Sequence, residues 1–66
     1  MEIGLKIRQL RNEKHFTQTQ LAEFLHVSQD TISLWELNKS LPDVKAIVEL
    51  CKLFEISADY LLGLDE

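Results

Sequence analysis

Gln29, Asp30, Ser33 and Leu34 stand close together in the sequence, and their side chains suit recognition better than bond breaking. A glutamine amide offers a donor and an acceptor side by side, a carboxylate only accepts, a hydroxyl does both, and leucine adds methyl contact. The groupings that catalysis needs do not accompany them. The sequence contains no Ser, His and Asp order suited to nucleophilic attack, no glycine-rich phosphate loop and no convincing carboxylate pair. His15 and His26, with a single cysteine in the chain, lack the paired ligand spacing of a zinc site. Cys51 falls on an apolar helical stripe, which favours a buried, inert thiol over a nucleophile. The expectation is a binding protein and not an enzyme, with no metal, no cofactor and no evident site for a small-molecule effector.

The elements that must position these side chains are short helices. Ile3, Ile7 and Leu10 recur at the spacing of one helical stripe, with Arg11 beside them, which predicts helix one from about Glu2 to Lys14. Thr17 followed by Gln20 fits a capping box, so a second helix starts there and buries Leu21, Ala22 and Leu25. Ser28 is a new N-cap, and helix three runs from about Gln29 to Leu37. Within it Ile32, Trp35 and Glu36 face inward, which leaves Gln29, Asp30, Ser33 and Leu34 on the outer side. Pro42 interrupts and Asp43 caps helix four, whose stripe is Ile47, Leu50, Cys51 and Phe54. Ser57 caps a last helix from Ala58 to about Leu62, and Gly63 ends it. No strand signal, repeat or linker is visible.

Sixty-six residues allow one small domain, because a chain this short buries only about 60% of its unfolded surface. Hydrophobic residues make up 45% and charged residues 27%, which is the balance of a globular chain and not of a disordered one. No apolar run approaches the roughly 20 residues that span a bilayer, and the N-terminus has no signal-peptide core, so a cytoplasmic protein without membrane contact is expected. The net charge of −4 runs against the basic footprint of a polyanion binder, but its placement matters more than its size. Residues 1–41 are balanced between acids and bases, and the entire excess lies in residues 42–66. The first two thirds are free to face phosphate.

Two short helices joined across Leu25-His26-Val27-Ser28 make a helix-turn-helix, in which the second helix lies in the major groove of DNA and the first crosses the backbone. Spacing alone does not separate this from any compact helical pair. The residues are more specific. Thr17-Gln18-Thr19-Gln20-Leu21-Ala22, Val27-Ser28, Ile32-Ser33, Trp35-Glu36, Pro42 and Ile56-Ser57-Ala58-Asp59-Tyr60-Leu61-Leu62-Gly63 together resemble the Cro and phage-repressor (XRE-type) helix-turn-helix family over nearly the whole chain. The resemblance implies an all-α, compact five-helix, lambda-repressor-like domain spanning residues 1–66, with the helix-turn-helix formed by helices two and three. It also implies sequence-specific binding of double-stranded DNA as a transcriptional regulator, here read as a repressor that acts as a homodimer on a palindromic operator. The other reading is an antitoxin or accessory module whose main role is to bind a protein partner; it draws on the acidic last third and on apolar residues off the stripes, Leu5, Phe24, Leu37, Leu41, Val48 and Leu53.

Carried over position by position, the resemblance makes Gln29, Asp30 and Ser33 base-reading residues, flanked by Thr31 and Leu34. Glutamine can pair bidentately with adenine, aspartate can accept from the amino group of cytosine, and leucine can touch a thymine methyl. Asp30 equally suits the positive N-terminus of helix three. Gln18 matches the family's phosphate contact. With Thr17, Asn38 and Lys39, and one of Lys6, Arg8 or Lys14, it would hold the DNA backbone. Arg11 and Glu36 match a buried ion pair that ties helices one and three together. Tyr60, Leu62 and Leu64 are the expected dimer contact. The family commonly has glycine where this chain has His26, Asn38 and Glu55, so these turns are expected to be slightly strained or of a different shape.

Overall fold

Side-chain caps decide where the helices begin. In a computed structural model, which describes residues 3–64, the chain forms α1 (Ile3–Glu13), α2 (Gln18–Leu25), α3 (Gln29–Glu36), α4 (Val44–Phe54) and α5 (Ala58–Leu62). Thr17 and Gln20 close the capping box before α2: the Gln20 amide donates to Thr17 Oγ1 at 3.0 Å and the Thr17 amide donates to Gln20 Oε1 at 2.8 Å. Ser28, Asp43 and Ser57 each accept one first-turn amide of α3, α4 and α5. Each cap satisfies a backbone donor that has no partner inside its helix.

The helix ends share one geometry. His15, His26, Asn38 and Glu55 all have φ between 57° and 60°, and Gly63 has φ 76°. After every helix the next amide reaches back to a carbonyl in the last turn: Phe16 to Arg11, Val27 to Ala22, Lys39 to Leu34, Ile56 to Cys51 and Leu64 to Asp59. These are Schellman-type closures, which need a left-handed residue. The turns at His26, Asn38 and Glu55 are therefore not of a different shape. They keep the geometry that glycine favours, with side chains present. His15 adds a fourth such position that spacing did not point to.

Helix α1 packs against α3 and α5, α2 against α3 and α4, and α4 against α5. The core between them is Ile3, Ile7, Leu10, Leu21, Ala22, Ile32, Trp35, Leu50, Phe54 and Leu61. Leu25, Ile47 and Cys51, expected inside, are only half-buried at its margin. Of the apolar residues off the stripes, Leu53 packs on the core. Phe24 stacks obliquely on Phe16 with ring centroids 4.9 Å apart, and Leu5, Leu37, Leu41 and Val48 are exposed.

One glycine allows the closest helix approach. A β-carbon on Gly4 would collide with the backbone carbonyl of Trp35 and lie 2.8 Å from both the Glu36 carbonyl and Asn38 Oδ1. Only a residue without a β-carbon lets the start of α1 rest on the end of α3. The Gly4 amide uses this proximity to donate to Asn38 Oδ1 at 3.0 Å.

Candidate nucleic-acid interface

Helix α3 is held from behind and open in front. Ile32, Trp35 and Glu36 are buried against α1 and α2, while Gln29, Asp30 and Leu34 are exposed and Ser33 and Thr31 are half-exposed. Leu34, at 43% exposure, is an apolar tip in a polar row. Asp30 lies in the first turn of α3, where the helix dipole favours a carboxylate. Thr31 is less available than its neighbours, because its hydroxyl is hydrogen-bonded to Ser28 Oγ at 2.9 Å inside the N-cap.

Behind that face lies the ion pair. Arg11 Nε donates to Glu36 Oε2 at 2.6 Å and Arg11 Nη2 to Glu36 Oε1 at 3.2 Å. A third nitrogen, Nη1, donates to the Phe16 carbonyl at 2.8 Å. The side chains are 12% and 4% exposed, so the two charges neutralise each other largely out of water.

The groups expected to meet phosphate are partly occupied within the protein. Gln18 Nε2 donates to Glu36 Oε1 at 3.0 Å, and Gln18 Oε1 accepts from Gln29 Nε2. One N–H of the Gln18 amide is left over. Thr17 Oγ1 serves the capping box and Asn38 Oδ1 holds Gly4, while Lys39 is exposed. Lys6 sits with Nζ 4.0 Å above the Tyr60 ring and so belongs to the contact between α1 and α5. Spacing gave no signal for the link between Gln18 and Gln29, which are 11 residues apart across the turn. Among the residues expected at a dimer contact, Tyr60 and Leu64 are exposed at 40% and 66%, whereas Leu62 packs partly against the core. Cys51 is half-buried, and desolvation pushes its thiol pKa up, which disfavours the reactive thiolate.

Two short helices set across a left-handed turn, with the second presenting a hydrogen-bonding row, are matched by a family model described as helix-turn-helix over residues 7–61. The chain belongs to the helix-turn-helix family. This helix-turn-helix domain is 42% identical over 66 residues to the HTH-type transcriptional activator BcrR of Enterococcus faecalis, covering all of this chain and 32% of that protein. It is 33% identical over the same length to the HTH-type transcriptional regulator ImmR of Bacillus subtilis (strain 168), of which it covers 52%. The chain thus spans between about a third and about half of these two curated relatives. Among solved structures it superimposes on the P22 c2 repressor in complex with synthetic operator 9T with a TM-score of 0.86, at 31% identity and over 92% of each chain. The five helices, with the helix-turn-helix made by α2 and α3, form the lambda-repressor-like fold. No helix among the described residues is long and apolar enough to cross a membrane.

Proposed function

We propose that this helix-turn-helix domain binds double-stranded DNA sequence-specifically through the outer face of α3, and that as a homodimer on a palindromic operator it represses transcription by covering promoter DNA. The observation that carries the reading is the exposed Gln29 at the start of α3, its amide braced by Gln18 so that its remaining groups face outward. A pre-ordered amide loses less freedom on binding than a mobile one. Asp30, Ser33 and Leu34 continue the reading row, while Thr31 adds packing at its edge. Lys39, the remaining N–H of Gln18, Thr17 and the amino group of Asn38 face the backbone, where contacts position the domain without carrying sequence information. Tyr60 and Leu64, with the edge of Leu62, form the contact between protomers. The repressor sense takes support from the P22 c2 structure.

Selection of bound duplexes from a random pool tests the whole reading. An enriched inverted repeat with half-site centres about 34–36 Å apart is the expected result for a two-fold dimer. In anisotropy titrations on the selected site, Gln29→Ala is expected to cost about 1–3 kcal/mol of specific affinity and to relax preference at one base pair of each half-site. A pool that returns no preferred sequence would overturn the proposal. A reporter whose output rises when the domain occupies its site would reverse the regulatory sign, in keeping with the activator named in Enterococcus faecalis.

A further inference from the structure

We infer that Glu36 is a positioning residue for base recognition: acting through Gln18, it sets which way the Gln29 amide points and so selects adenine over guanine at the base Gln29 meets. This rests on the reading of DNA by α3 proposed above.

A carboxylate can only accept hydrogen bonds. Glu36 takes two N–H groups of Arg11, one on each oxygen, and Gln18 Nε2 on Oε1. Its side chain is 4% exposed, so water has little access to replace any of these partners. Turning the Gln18 amide round would set its oxygen against a buried carboxylate oxygen, two acceptors facing each other with no donor between them, which is costly away from water. Gln18 must therefore present nitrogen to Glu36 and oxygen to Gln29. Gln29 must answer that oxygen with its own nitrogen, as it does.

This leaves Gln29 with a free carbonyl oxygen and one free N–H directed outward. In the major groove, adenine offers the N6 donor and the N7 acceptor, and both find partners. Guanine offers two acceptors, N7 and O6, of which one meets the Gln29 oxygen and is repelled. Were the relay reversed, Gln29 would spend its oxygen on Gln18 and turn both N–H groups outward, the pattern guanine favours. The charge on a side chain that never reaches DNA is thus carried to the reading surface as the orientation of two amides.

Trans-hydrogen-bond NMR couplings on the uniformly labelled wild-type domain test the relay directly. Expected are cross-peaks from Gln18 15Nε2 to Glu36 13Cδ and from Gln29 15Nε2 to Gln18 13Cδ. A coupling from Gln18 15Nε2 to Gln29 13Cδ, or none to Glu36, would overturn the inference. The consequence is read on two duplexes that carry adenine or guanine at the position identified with Gln29→Ala. Wild type is expected to favour adenine at least about tenfold, and both Glu36→Gln and Gln18→Ala to bring that ratio within about threefold. Gln18→Ala leaves the Arg11 and Glu36 pair in place, so it gives an answer even where Glu36→Gln fails to fold. A purely structural Glu36 would lower the melting temperature and leave the adenine-to-guanine ratio of folded variants unchanged, which would defeat the inference. If wild type shows no sequence preference at all, the DNA reading fails, while the couplings still report on the relay.

Discussion

Arg11 directs three of its nitrogens inward, two to Glu36 and one to the Phe16 carbonyl, and so joins α1, the loop after it and α3 through one side chain. Replacing it leaves Glu36 as a buried carboxylate with only the Gln18 amide to compensate it. Arg11→Met is therefore expected to cost about 3–5 kcal/mol, a large part of the roughly 5–15 kcal/mol that holds a small domain together. Urea unfolding followed by circular dichroism measures this. An unchanged midpoint together with lost DNA binding would instead make Arg11 a DNA contact. Composition and helical spacing place Arg11 beside the apolar stripe of α1 and Glu36 on the inner side of α3, but they do not say that the two meet. That came from the family pattern, because the partners are 25 residues apart. The link between Gln18 and Gln29 was legible in neither, since two glutamines 11 residues apart carry no local mark of facing each other.

The helix starts were readable because an N-cap is local: a hydroxyl or carboxylate and the amide it accepts lie three residues apart. The ends were harder, because the usual signal is glycine and only Gly63 supplies it. Four other helices or loops close through residues with side chains in the left-handed region, at about 1–2 kcal/mol each for an ordinary residue and less for Asn. Glu55 is the least suited of them, since its carboxylate also sits at the negative end of α4. Glu55→Gly is expected to raise stability by about 0.5–1 kcal/mol, the relief of the left-handed conformation less the extra chain entropy that glycine loses. Asn38→Gly is expected to give no such gain, because it also removes the acceptor that holds the Gly4 amide. Thermal melts of the two variants side by side check the pair. Equal stabilisation would mean that the bond between Asn38 and Gly4 contributes nothing.

At the scale of the molecule, the proposed DNA binding asks a domain of net charge −4 to grip a polyanion with few cations. Lys6 is drawn to Tyr60, so in the proposed complex Lys39 and one or two of Arg8 and Lys14 would be left on each chain to displace counterions. For the proposed homodimer, about two or three such contacts per protomer predict a log–log salt slope of about −4 to −5. Anisotropy titrations from low to physiological salt measure it. A flat dependence would mean that phosphate plays little part, and a slope twice as steep would mean that cations outside this face take part.

Helix α3 carries Asp30 on its exposed side and no base, whereas α4 carries Lys45 and Lys52 against Glu49. The hydrogen-bonding row therefore nears a duplex with no cation of its own helix to draw it in. Within a Debye length, about 8 Å at physiological ionic strength, attraction at this face must come from bases on neighbouring segments, such as Lys39 just beyond α3. Encounters of such a face with DNA are weakly steered, so a preference for one site would show in how slowly the domain leaves it and not in how fast it arrives.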